Sequence, residues 1–282
     1  MPAEITTSIL GSAPPSKAMY DSSSLYEAYS VLSQPRNVNM PRAEWPRLLS
    51  MLGLVKDTTI LELGCGFGWF CRWASEHGAA RVVGVDNSRK MLERAEAINM
   101  APEITYICRD LDSLESDAKN HHEQKNVLLG LDGKEGASEG FDTVFSALAF
   151  HYIEHLQSLC EAVHAALKPG GRFLFSFLHP VWTATDNGSW QERAQGEVFW
   201  PLSNYSEEGW RVNNWIKLDG GVRVYQRTMD TYFSILRDCG FDIFNMGEWM
   251  FEEGSFPEEH VDAGNETHRP FFLLVGARKR DL

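Results

Sequence analysis

Between positions 59 and 178 short apolar runs alternate with amphipathic stretches. Apolar runs compatible with strands fall at 59–63, 81–85, 104–108, 142–147 and 171–178. Each has the length of a buried strand. The stretches 68–77, 88–99 and 155–167 between them carry helical spacing, and Asn87 or Ser88 caps the second of these. Strands that alternate with helices predict an α/β fold with a doubly wound, mostly parallel sheet. Two helical stretches precede it. In YDSSSLYEAY, Leu25, Tyr26 and Tyr29 share a helix face, with Asp21 or a serine as cap. The segment EWPRLLSMLGL, 44–54, reads as a short amphipathic helix. After the alternating region come a helix from Met229 to Cys239, a strand from Phe241 to Glu248 and a last strand from Phe271 to Ala277. That final pair reads as an antiparallel finish.

Three regions break the pattern. Residues 1–18 are polar, with Pro14 and Pro15, and are expected to be a flexible terminus ahead of one domain over 19–282. Residues 112–140 are polar, glycine-dotted and weakly periodic, and read as a surface insertion. Its adjacent His121 and His122 make a poor metal pair. The stretch 180–226, with Trp182, Trp190, Trp200, Tyr205, Trp210 and Trp215, is unlike the preceding repeat and reads as an aromatic cap inserted after the fifth strand.

The most informative stretch is TILELGCGFGWF, residues 59–70. A strand breaks into Gly64, Gly66 and Gly68, and a helix follows. Glycines permit positive φ and close approach of a ligand to the backbone, and a helix start offers unpaired N–H groups. The spacing is G-x-G-x-G. A dinucleotide fingerprint needs glycine at 69, which is Trp69 here. Asp86 ends the next strand 22 residues after Gly64, where an acid meets a ribose.

Composition narrows the partners. The chain has 282 residues, is 43% hydrophobic and carries a formal net charge of −13, which suits one large α/β domain. That charge and the lack of a dense basic run argue against nucleic acid or an anionic membrane as partner. Cys65, Cys71, Cys108, Cys160 and Cys239 are scattered without zinc spacing, so reduced thiols in a cytoplasmic protein and no metal centre are expected. Neither a secretory signal nor an apolar run of membrane-spanning length is visible.

The segments ELGCGFG, GVD, CRDL, FDTVFSALAFHYIEH and LKPGGRFLFS occur in this order. With them the chain resembles the class I S-adenosylmethionine-dependent methyltransferases, and within these the small-molecule UbiE-like, methyltransferase type 11 group. The resemblance implies a seven-stranded sheet and S-adenosyl-L-methionine as cofactor. It places Gly64, Cys65, Gly66, Asp86 and Asn87 against the ribose side, and Arg109, Asp110 and Leu111 at the adenine. It places Glu62 and Ser146 near the methionine part. Tyr20 and Tyr29 are candidates to close over that part, with core packing as the competing reading.

The implied activity is methyl transfer to an oxygen or nitrogen of a natural product or metabolite. Here His151 and, less so, His179 are the base candidates. Tyr152, Trp182, Tyr225, Arg227 and Trp249 are the expected acceptor-binding residues, because they flank strand ends. A catalytically silent binding protein and a nicotinamide-dependent oxidoreductase are the alternatives, the latter disfavoured by Trp69.

Overall fold

The computed structural model describes residues 19–32, 44–113, 140–185, 188–213, 221–250 and 265–280. The chain order of elements is α1 (Ser23–Leu32), α2 (Trp45–Leu52), β1 (Thr59–Leu63), α3 (Trp69–Glu76), β2 (Arg81–Asp86), α4 (Arg89–Asn99), β3 (Ile104–Cys108), β4 (Phe141–Ala147), α5 (Leu156–Ala166) and β5 (Leu167–Leu178). There follow α6 (Pro180–Thr183), β6 (Gln191–Glu192), β7 (Val198–Phe199), β8 (Gly209–Asn213), β9 (Val222–Gln226), α7 (Met229–Asp238), β10 (Phe241–Met250) and β11 (Pro270–Lys279). One seven-stranded sheet runs β10-β11-β5-β4-β1-β2-β3. Five strands pair in parallel, and β11 lies antiparallel between β5 and β10.

Period-two alternation along the strands builds the two faces. Leu61, Leu63, Val83 and Val85 pack with Leu159 and Val163 of α5 and with Tyr232 and Leu236 of α7. Ile60, Val82 and Phe145 point the other way, against Leu48 of α2, Phe70 and Ala74 of α3 and Leu92 of α4. Phe70 stacks on Phe145 at 3.8 Å, and Trp45 meets Phe70 and Trp73 edge-on. At the N-terminal edge Asp142 accepts from the Thr59 amide, the Thr59 hydroxyl and the Lys168 ammonium at 2.8–2.9 Å, tying β1, β4 and β5 together.

The strand expected at 171–178 begins earlier, at Leu167. Leu167 pairs with Phe141 and Arg172 with Thr143, so Lys168–Gly171 loop out as a bulge within the strand. Gly170 sits there at φ 68°. The cap holds α6 and two small hairpins, β6–β7 and β8–β9. The hairpins were not visible in the sequence, because their strands are short and half-polar. Most of the predicted insertion, with His121 and His122, and Trp215 of the cap lie outside the described residues. Among the described residues, no helix is long and apolar enough to cross a membrane.

Candidate cofactor and acceptor site

The strand order reverses between β1 and β4, and the crevice beyond their C-terminal ends is where open α/β sheets take ligands. The backbone there is built for close approach. Gly64, Gly66 and Gly68 stand at φ 73°, 53° and 72°. A Cβ on Gly64 would come within 2.6 Å of the Ala149 methyl, in the loop after β4. One on Gly68 would collide with the Tyr106 ring. At Gly66 the nearest atom is the Tyr29 hydroxyl, 3.8 Å away, so the middle of the loop faces open space under that tyrosine.

Asp86 organises the crevice. Its Oδ2 accepts the Gly66 amide and its Oδ1 the Ser88 amide, both at 2.9 Å. The Asn87 amide also donates to this carboxylate, which leaves part of its acceptor capacity for a ligand. Burial raises the Asp86 pKa, and the bonds from Ser88 and Gly66 hold part of that rise back. The Ser88 hydroxyl caps α4 by accepting the Met91 amide and donates to Asp21 at 2.6 Å. A chain of bonds therefore runs from the glycine loop through Asp86 and Ser88 to the short 3-10 turn Met19–Asp21. Lys90 binds the Asp21 carbonyl and Arg94 the Ser30 hydroxyl, which fastens α1 over the crevice.

The tyrosines predicted to close over the site do come together. Tyr20 and Tyr152 share a hydrogen bond at 3.0 Å, and the Tyr20 and Tyr29 rings meet edge-on at 5.3 Å. Burial, then the neighbouring Tyr152, pushes the Tyr20 phenol well above its ordinary pKa, so it stays neutral.

Other predicted residues are placed differently. Glu62 is buried, and its Oε2 accepts the Cys71 thiol at 2.9 Å on the α3 side of the sheet. The Cys65 thiol is pushed up to about 11 by burial and is a packing group. Ser146 is fully buried and donates to the Leu63 carbonyl, so its hydroxyl bridges β4 and β1. Asp110 turns back to accept the Asp112 amide, the Arg109 amide binds the Asp86 carbonyl, Leu111 is buried, and Asn87 is half-buried beside Asp86.

The two candidate histidines are both buried and engaged through Nδ1. His151, on the turn Phe150–Tyr152, is 2% exposed and its Nδ1 accepts the Leu178 amide at 3.3 Å. His179 is 3% exposed; its Nδ1 accepts the Val181 amide and its Nε2 meets Glu248 at 3.1 Å. Burial pulls the His179 pKa down, with Glu248 opposing it. An imidazole whose Nδ1 accepts carries its proton on Nε2. Both rings therefore present a donor, not the lone pair a base requires.

Of the residues expected at the acceptor, Trp182 is buried against Phe271, and Trp249 stacks on Phe272. Tyr225 faces the Trp210 edge and lies under Arg227, whose guanidinium is 4.0 Å from its ring. Val224, on the same strand, belongs to the same buried cluster as Trp182, against which Tyr152 packs. Asp21 and Ser88 are the site residues sequence reasoning missed. Both had been read as helix caps, and their contact spans 67 positions, beyond any local pattern.

The sequence matches the methyltransferase domain family over residues 37–243. A solved structure of an S-adenosylmethionine-dependent methyltransferase from Mesorhizobium loti shares 39% identity with a TM-score of 0.68, covering 84% of this chain and 98% of that one. An uncharacterized protein of Haemophilus influenzae is 32% identical over 268 residues, 93% of this chain and 97% of its own. More distant relatives include the tRNA U34 carboxymethyltransferase of Cellvibrio japonicus, 28% identical over 58% of this chain and 42% of its own length. Another is the malonyl-[acyl-carrier protein] O-methyltransferase of Pseudescherichia vulneris, 26% identical over 55% and 56%. With the glycine loop and the strand-end aspartate in the positions this fold requires, the chain belongs to the methyltransferase domain family, of the class I, S-adenosylmethionine-dependent type.

Proposed function

We propose that the protein moves the methyl of S-adenosylmethionine to an oxygen or nitrogen of a small molecule, a natural product or metabolite. The observation that carries this reading is Asp86, fixed by the Gly66 and Ser88 amides at the mouth of a glycine loop too crowded for side chains at 64 and 68. These residues fit the cofactor. The remaining acceptor capacity of Asp86 meets the ribose, Asp110 and Leu111 border the adenine, and Tyr20 and Tyr29 close over the far end. When bound, the cofactor supplies a methyl on a positive sulfur. The chain's own contribution is alignment, worth about 7–11 kcal/mol for well-oriented reactants.

The donor form of both histidines narrows the acceptor. With the Nδ1 of each ring engaged, the reading favours an acceptor atom that is nucleophilic without help from them, as a carboxylate oxygen or a neutral amine is. The malonyl-[acyl-carrier protein] O-methyltransferase among the relatives acts on an oxygen and agrees with this. His151→Gln, whose amide oxygen can still accept from Leu178, is expected to keep activity within about fivefold. Its pH–rate profile should have the wild-type shape. An acidic limb present in wild type and lost in the variant would restore the base role.

A second reading is RNA methylation. The exclusion of nucleic acid by net charge is weakened by the tRNA U34 carboxymethyltransferase relative. Incubation with methyl-labelled S-adenosylmethionine and separated extract fractions distinguishes the two. Label is expected in small acids or amines. Label confined to the tRNA fraction would overturn the small-molecule reading. Cofactor binding without any transfer would favour a silent binding protein.

A further inference from the structure

We propose that the cavity between the start of α5 and the end of β9 holds an anionic oxygen group, carboxylate or phosphate, of the methyl acceptor. This rests on the small-molecule reading above.

The cavity has a volume of about 520 Å³, and Arg227, Tyr225, Gln157 and Ser158 are among its walls. Arg227 is 3% exposed. Its Nη2 donates to the Glu154 carbonyl, and the guanidinium lies 4.0 Å from the Tyr225 ring centre. Its side chain also interacts with the Tyr232 hydroxyl, and its Nη1 is buried without a geometric hydrogen-bond partner among the described residues. A buried guanidinium nitrogen left with an unmade bond is unusual, because it loses water and gains nothing.

The second feature is the N-terminus of α5. This helix has 11 residues, and the amide of its N-cap, His155, donates to the Asp112 carboxylate at 2.8 Å, which leaves the amides that follow. The amides of its first turn, including those of Gln157 and Ser158, have no partner inside the helix. They carry the positive end of the helix dipole. A guanidinium nitrogen and a helix start beside one cavity are donors that oxyanions take.

Three glutamates share the wall, and each has a donor of its own. Glu208 accepts from the Thr228 amide and hydroxyl and from the Thr231 hydroxyl. Burial alone would raise its pKa, but those bonds reverse the shift and hold it low. Glu154 accepts the Trp210 indole N–H at 2.9 Å, and Glu161 accepts from Gln157 at 3.2 Å. The unmade bond belongs to Arg227. The Glu154 carbonyl that anchors Arg227 is two residues beyond Tyr152, and β9 packs on the turn that carries His151.

The test titrates inorganic phosphate and, separately, malonate into the whole protein at constant ionic strength set with sodium chloride, read by calorimetry. At least one is expected to bind saturably, and which one separates a phosphate from a carboxylate substrate. Arg227→Gln should weaken that binding tenfold or more, while Arg223→Gln on the same hairpin stays within twofold. Ser158→Asp leaves Arg227 in place, puts a carboxylate at the helix start and should abolish binding by repulsion. S-adenosylhomocysteine affinity, measured on each variant, reports both an intact fold and the cofactor reading independently of the anion. The proposal is overturned if neither anion binds above chloride, or if Arg227→Gln and Ser158→Asp bind as wild type does.

Discussion

Asp86→Ala is expected to weaken S-adenosylhomocysteine binding by about tenfold to a hundredfold, with the fold retained. A hydrogen bond to a charged group is worth about 1.5–3 kcal/mol, and each 1.4 kcal/mol is roughly a factor of ten in affinity. The substitution also releases the Gly66 and Ser88 amides, so the loop loses its anchor as well as the ligand its acceptor. The effect has a pH signature. Burial sets the Asp86 pKa above the ordinary aspartate value, which is about 3.9. Protonation removes the charged acceptor, so wild-type affinity should fall on acidification at a pH above 3.9, and the Asp86→Ala protein should lack that step. In the cofactor-free protein the sign is opposite. A raised carboxyl pKa costs stability at neutral pH, and the cost is relieved as pH falls through the raised value. Calorimetry across pH 4–8 measures the binding step; an unchanged affinity in Asp86→Ala removes the residue from the site.

Gly64→Ala should be more damaging than Gly66→Ala. An alanine at φ 73° bears left-handed strain of about 1–2 kcal/mol. The new methyl would stand 2.6 Å from the Ala149 methyl, and overpacking of that kind costs about 1–3 kcal/mol. The sum is roughly 2–5 kcal/mol. Gly66→Ala carries the strain but little crowding, since its nearest neighbour is the Tyr29 hydroxyl at 3.8 Å. It should cost about 1–2 kcal/mol and act mainly on cofactor affinity. Urea unfolding of both variants separates the terms. Equal losses of stability would mean that the contact with the β4 loop is not limiting.

The parallel sheet was legible because its strands are short apolar runs and its helices carry 3.6-residue periodicity. Asp86 was legible because strand end, glycine loop and acid lie within one βαβ unit. What was not legible depends on contacts across the chain. His151 and His179 look like bases from their positions, yet their roles are decided by the Leu178 and Val181 amides. The partner of the Ser146 hydroxyl, the Leu63 carbonyl, depends on β4 running beside β1, 83 residues away in sequence. Glu62 falls on the α3 face by strand alternation, a rule available from sequence, but its Cys71 partner needed the helix in place. The cap was recognisable by composition, whereas its hairpins were too short to give a period.

The sharing of one buried cluster by cap and sheet has a consequence for how the family diversifies. Trp182 and Val224 are nearly inaccessible and pack with Phe145 and Leu174 of the sheet. On the proposed reading, in which this wall borders the acceptor, mutations that reshape it would also loosen the domain, and a lineage shifting its substrate would need compensating stabilisation elsewhere. Divergence should accordingly be slow at these two positions and rapid at rim residues that touch the acceptor without supporting the sheet.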